Sequence, residues 1–534
     1  MHERVVANWL TNANELAYTL PFCQILTSKG QKIIKVSPKK ATLEEGKDVI
    51  ALDKKGKPQC YQLKGGNLSL KDWRNEVKGQ VEDMLDIMPV SPSLGDVKDW
   101  DCFLVLNGEL KGEVAQVIKD YNNTRKLDKK RTFQVITIGE LERDFIEYFG
   151  SFIPTELKHF EIFLDLYNAT GDDLLDVDKL SPFWRTYFGD YLKEDKKTKL
   201  NKNELSQLIN ASLVINSYIL GKKYNAENHI AIIQGWLVLL NTIYAVAERY
   251  ELDPKYFKGT AELIRAEVYE RNHLLIPDII SSGLIDRKNG TAVSEALIFR
   301  QRYSQSIGFT SMLLMAEIID GATLPIEKEL VDWIINNAAH LRLETEAEIP
   351  GALSVALHLL ISKREGDGEV LLGVIVKSII KVSYANGIPD PYHDFVQVLK
   401  HRLGVRLLDN LDETFERSSY TLWPLIHTVA FLHRREMIQD LWREVSHVQF
   451  RNFTPAEPWR YFLRYSEKGL LESRYPKDTQ SWAELVEKSK EMPDDMPKLL
   501  VDQPGNLFLL WAVYPHRFNE QTIRIFLNGP LKDT

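Results

Sequence analysis

Two textures divide this chain near residue 140, and that change constrains its fold more than any other feature. Before it, strand and helix signals alternate. Residues 3–20 read as a helix, with Val5, Leu10, Leu16 and Leu20 among its apolar positions. Residues 32–36 form a short strand candidate. Residues 48–52 and 59–63 form two more, joined by KKGKP, a turn with Gly and Pro. Over 72–88, Trp73, Val77, Val81, Met84, Leu85 and Met88 share one helical face, and Pro89 and Pro92 end it. Residues 103–106 are a short apolar run before Asn-Gly, 109–122 are helical, and 133–138 (FQVITI) are rich in β-formers. Strand–helix–strand order of this kind implies a sheet with parallel members covered by helices. After residue 140 strand signals become rare. GTAELIRAEVYERNHLLIPDII, KELVDWIINNAAHLRL and HTVAFLHRREMIQDLWREV keep a helical period, separated by Gly-, Pro- and Asp-rich breaks. No fixed repeat length is visible. The expected fold class is therefore multidomain, α/β followed by all-α.

The length of 534 residues suggests three or four folding units, at roughly 150 residues each. Cys23, Cys60 and Cys102 are odd in number and widely spaced, which fits neither a disulfide framework nor a zinc site. That cysteine usage suggests a reducing, cytosolic setting, and the opening MHERVVANWL lacks a signal peptide's basic and apolar regions, so the expected location is cytoplasmic. One stretch, IAIIQGWLVLLNTIYAVA at 230–247, is uncharged and near the spanning minimum of about 18 residues. It carries Gln234, Asn241 and Thr242, which suit a helix buried inside an all-α bundle better than a membrane span. The net charge of −8 does not advertise a nucleic-acid binder, but its distribution is uneven. Residues 1–75 hold 13 Lys and Arg against 7 Asp and Glu, whereas everything after 140 holds 45 against 56. A basic head on an acidic body allows phosphate contact by the head, although ordinary surface lysines give the same count.

The chemistry concentrates in GKDVIALDKKGKPQCYQLKGG, residues 46–66. With the turn centred near Gly56, Asp48 lies opposite about Lys64, and Ile50 opposite Gln62, in a register open to slips of one or two residues. Gln62 and Lys64 are two apart and point to one face. One carboxylate, one amide oxygen and one ammonium then converge at one end of a small sheet. Taken singly, a strand-start Asp, an edge Gln and a solvent-facing Lys are the commoner fates. Taken together they suit phosphodiester hydrolysis. Asp48 and Gln62 would hold Mg²⁺ or Mn²⁺, a hard cation that accepts oxygen and acidifies a bound water. Lys64 would orient the nucleophile and steady developing negative charge. Gly65 and Gly66 would let a bulky backbone approach closely.

These residues resemble the PD-(D/E)xK, or restriction-endonuclease-like, nuclease superfamily, in its Mrr-type branch with Gln-x-Lys in place of Glu-x-Lys. The matching positions are Asp48, Gln62 and Lys64. A Glu in the family's first helix often completes the metal site, and Glu15 in NANELAY is the candidate. CFLVLNGELKGEVAQVIKDYNN looks like the strand and helix that follow in such nucleases, and FQVITIGEL like their last strand. The resemblance covers about residues 1–145. It departs from the family where Lys47 replaces the Pro that often precedes the Asp, and where neutral Gln62 replaces an acid. It implies a restriction-endonuclease-like domain at 1–145. The helical region at 146–534, with a break near 191–204, would regulate, recognise or assemble. It also implies a Mg²⁺-dependent DNA endonuclease of bacterial restriction or anti-phage defence. A partner such as an NTPase or sensor subunit, or a homo-oligomer, would gate it. Two alternatives stay open: a degenerate nuclease fold that only binds nucleic acid or docks proteins, and a metal-dependent RNase.

Other signals are weaker. No P-loop or HExxH motif occurs. His393–Asp394 is an isolated dipeptide, and His427 and His433, six apart, read as structural. RNFTPAEPWRYFLRY (451–465) mixes arginines with aromatics, which can grip nucleic acid but also describes a helix core with a basic rim.

Overall fold

A computed structural model of the chain describes residues 2–36, 46–91, 94, 97–193, 199–281, 293–321, 332, 345–361, 364–385, 418–465, 469–475 and 481–531. By contact the chain divides into two units: Met1–Leu239 with Pro254–Arg265, and Leu240–Asp253 with Ala266–Thr534. The fold is mixed, a five-stranded sheet early in the chain and mainly helices after it.

In the first unit the strands are β1 (Lys32–Val36), β2 (Val49–Leu52), β3 (Pro58–Lys64), β4 (Asp101–Leu106) and β5 (Phe133–Ile136), adjacent in chain order. The joins β1–β2 and β2–β3 are antiparallel. The joins β3–β4 and β4–β5 are parallel, because a helix intervenes each time. After β3 comes α3 over residues 70–86, built of Leu70–Asp72, a π-helical turn Trp73–Val77 and Lys78–Asp86. After β4 comes α4 (Val114–Leu127). On the face they cover, Ile50, Cys60, Cys102, Leu104 and Leu106 pack with Trp73, Val77, Val81, Met84 and Leu85 of α3 and with Val114 and Ile118 of α4. The opposite face stacks Tyr61 on Phe103 at 4.9 Å and receives Phe22 edge-on at 5.3 Å.

Several boundaries differ from the sequence expectation, each for a local reason. The single helix expected over 3–20 is two, α1 (His2–Asn12) and α2 (Glu15–Ser28). Asn14 breaks it by capping α2, its side chain accepting the Ala17 N–H at 2.9 Å. The helix expected at 109–122 starts five residues later, because Glu109 and Lys111 pair their backbones with Leu68. Thr137 ends the last strand and opens α5 (Ile138–Phe149) through a capping box with Glu140. Further helices come next: α6 (Leu157–Asn168), α7 (Val177–Tyr187) and α8 (Lys202–Asn225). The sheet ends inside the 1–145 segment, while the contact unit that holds it runs on to residue 239.

The second unit contains helices Val293–Ile319, Ile349–Ile361, Glu365–Ala385 and Gly505–Val513. It also contains a second sheet that the helical texture did not announce: β6 (Ser418–Ser419), β7 (Gln449–Pro455) and β8 (Gly469–Arg474), in that order. The 451–465 segment is accordingly strand and a short 3₁₀ turn, Pro458–Phe462, not a helix. Trp459, Arg460, Tyr461 and Phe462 are all buried there, so the segment belongs to the core and Arg460 to its interior. Among the described residues one helix, His229–Arg249, is long and apolar enough to cross a membrane, and 89% of its most apolar window is buried inside the protein.

Candidate active site at the end of the first sheet

The β2–β3 turn sets the register. Asp53 accepts the N–H groups of Lys55 and Lys57 on Oδ1, both at 2.8 Å, and Gly56 takes the left-handed φ of +82° that the turn needs. Those hydrogen bonds hold the Asp53 carboxyl below the usual carboxylate range. Leu52 therefore faces Pro58, Ile50 faces Cys60 and Val49 faces Tyr61. The ladder ends at that pair, two residues out of the register that would set Asp48 opposite Lys64, and Asp48 enters just before it. The offset is even, so every side chain keeps its expected face.

Asp48 and Gln62 meet directly. Gln62 Nε2 donates to Asp48 Oδ2 at 2.6 Å, and the Leu63 N–H donates to the same oxygen at 2.6 Å. Both side chains are buried, at 6% and 3% exposure. The Asp48 N–H in turn donates to the Tyr61 carbonyl at 2.9 Å. Lys64 leaves the same face of β3 and meets α3, its ammonium 3.0 Å from Glu76 Oε1.

Glu15 comes from the other layer. It is the first residue of α2, fixed there by the Asn14 cap. Asn14 is tied in turn to the end of α8, its Nδ2 donating to the Tyr224 carbonyl at 3.0 Å. A Cβ on Gly65 would lie 3.4 Å from the Glu15 nitrogen, so the strand end runs against the helix start. One turn along α2, the Tyr18 hydroxyl donates to the Lys64 carbonyl at 2.9 Å. Burial raises the Tyr18 pKa well above its ordinary value, and the charges of Glu15 and Asp48 raise it further. Both carboxylates thus act on one phenol at the end of β3. The sheet end is closed by Asn107, whose side chain accepts the Gly66 N–H at 2.6 Å and donates to the Leu10 and Ala13 carbonyls at 2.8 and 2.7 Å.

All four residues expected from the sequence therefore belong to one end of the sheet, Gln62 and Lys64 from β3, Asp48 from the residue before β2 and Glu15 from α2. Tyr18, Glu76 and Asn107 join them without a sequence signal, because each acts through tertiary contact. Lys47, next to Asp48, is buried as well.

Among the described residues no group of three or more His, Cys, Asp and Glu side chains is arranged to hold a metal ion. The donors here are two carboxylates and an amide, all oxygen, and Gly65 leaves room beside Glu15. That set suits a hard divalent cation. Gln62 now turns its NH₂ to Asp48, so offering its oxygen to the same cation requires a half-turn of the amide.

The remaining signals carry no chemistry. His427 is buried beside Glu520 and the Trp423 ring. His433 closes a helix with a φ of +57°. His393 and Asp394 lie outside the described residues. All three cysteines are buried free thiols, each pushed up to about 12 by burial. No protein-family profile, no curated protein and no solved structure matches the chain.

Proposed function

We propose that this protein is a Mg²⁺- or Mn²⁺-dependent DNA endonuclease whose active site is the Asp48 end of the first sheet. The reading rests on one observation: Asp48 and Gln62 touch across β2–β3 on the face from which Lys64 projects. The resemblance to the restriction-endonuclease-like superfamily supplies the activity class and the role in bacterial restriction or anti-phage defence. The helical remainder would then recognise, restrain or assemble the nuclease, with a partner protein or a second copy as the gate.

In this reading Asp48, Glu15 and the Gln62 amide oxygen would hold the cation, which when bound would polarise the phosphoryl oxygen and lower the pKa of a coordinated water. Asp48 keeps its orientation through the Leu63 N–H. The Lys64 ammonium stands at the strand end and offsets the negative charge that builds on the phosphate as water attacks. Tyr18 fixes the Lys64 backbone, and with it the point from which the ammonium extends.

The test is incubation of plasmid DNA with the purified protein, with Mg²⁺ or Mn²⁺, beside Asp48→Ala and Lys64→Ala. Metal-dependent nicking or linearisation that falls at least about a hundredfold in both variants supports the reading. Cleavage undiminished in the variants would refute it. A parallel RNA substrate separates a DNase from an RNase.

One observation favours a second reading. Asp48 already has two N–H donors on one oxygen, and Gln62 lacks the charge of an acid. A fold with this site could bind nucleic acid or dock proteins without cutting. Binding without cleavage under every metal tested would select it.

A further inference from the structure

The Lys64–Glu76 pair has an unusual setting. Glu76 sits in the π-helical turn of α3, where the Lys78 N–H closes on the Trp73 carbonyl. Such turns insert one extra residue into a helix and recur at functional sites. Trp73 and Val77, which bracket it, are 1% and 2% exposed under the sheet, so the backbone carrying Glu76 is fixed. Its side chain nevertheless stands 62% in solvent, while that of Lys64 is only 15% exposed. The lysine is thus held in the site by an anion that remains open to exchange. An ion pair with one partner in solvent is held weakly, by about a factor of five in equilibrium terms or less. A phosphodiester brings the same charge to the same ammonium.

We infer, on the premise that this sheet end is a nuclease site, that Glu76 is an exchangeable counter-ion for Lys64. It holds the ammonium at the end of β3 and gives way to a phosphate of the nucleic-acid backbone. The device keeps a buried-side lysine oriented before substrate arrives, and it sets a small toll on binding that only an anion at the site can meet. Glu76 acts through Lys64 and is a positioning residue.

A double-mutant cycle on DNA binding tests this without relying on turnover. A short duplex is titrated, with a chelator present, into wild type, Glu76→Gln, Lys64→Ala and the double variant. Glu76→Gln should tighten binding about three- to fivefold in the wild-type background and not at all beside Lys64→Ala. Glu76→Asp, which keeps the charge, should bind as wild type does. Glu82→Gln, a loss of one negative charge from the same helix at a site paired with Lys78, should give equal shifts in both backgrounds. Equal shifts for Glu76→Gln in both backgrounds, or none in either, would overturn the inference while leaving the nuclease reading intact. If wild type binds no duplex in chelator, the cycle is run with Ca²⁺ in place of the chelator and the duplex checked for integrity; no binding there either fells the nuclease reading and this inference with it.

Discussion

The Asp48 carboxylate and the Gln62 amide meet across the hairpin at 2.6 Å. The residue types and their shared face came from spacing. The partner across the hairpin did not, because Asp53 captures two turn N–H groups and shifts the pairing by two. Tyr18 and Glu76 left no signal, since a Tyr at helical spacing and an exposed helix Glu look ordinary until the layers close. The contact itself makes a prediction. In Gln62→Glu the new carboxylate would face Asp48 across the hairpin, replacing a donor by a like charge. That should destabilise the protein by about 1–3 kcal/mol in chelator. A cation shared by the two carboxylates would recover most of it. The melting midpoint of the variant should therefore rise with Mg²⁺ by several degrees more than that of wild type. A midpoint unmoved by Mg²⁺ would show that no cation sits between these strands.

At the scale of elements, α3 was legible because its apolar residues recur over four turns, and β2 and β3 because a Gly-Pro turn joins them. The α1–α2 break was missed although Asn14 before Glu15 is a capping signal, since the apolar spacing ran through it. β7 was missed because its aromatics and arginines, read without their alternation, suit a helix equally. The approach to the site depends on a further detail of packing. Gly46, two residues before Asp48, has a φ of +67°, and a Cβ there would overlap the Gln80 carbonyl of α3. Gly56, in the turn, has a φ of +82° and open space around it. Gly46→Ala should therefore cost about 2–4 kcal/mol, from backbone strain and overpacking together, whereas Gly56→Ala should cost about 1 kcal/mol from strain alone. Urea midpoints of the two variants measure the difference. Equal losses would mean that the entry to β2 is not pinned on α3.

At the scale of the molecule, a change of texture and a limit of folding are different things. The first sheet and its signals stop near residue 140, and the next described strand comes only at Ser418. The first two helices still need α8 as a support. Trp9 of α1 lies 4.6 Å from the Tyr218 ring and donates to the Ser217 carbonyl at 3.2 Å. Asn225 Nδ2 donates to the Asn12 carbonyl at 2.8 Å, and Asn14 to that of Tyr224. These ties hold the junction that positions Glu15. A buried aromatic side chain contributes about 1.5–3 kcal/mol and each hydrogen bond about 1 kcal/mol, against a total stability of about 5–15 kcal/mol. Losing α8 removes a large part of that total at once. A fragment of residues 1–145 should accordingly fail to unfold cooperatively and should expose apolar surface to a hydrophobic dye. A fragment of residues 1–265 should melt in a single transition and keep slow amide exchange in β3 and β4. If the shorter fragment melts as sharply as the longer one, the site stands on the sheet alone, and α8 serves something other than its support.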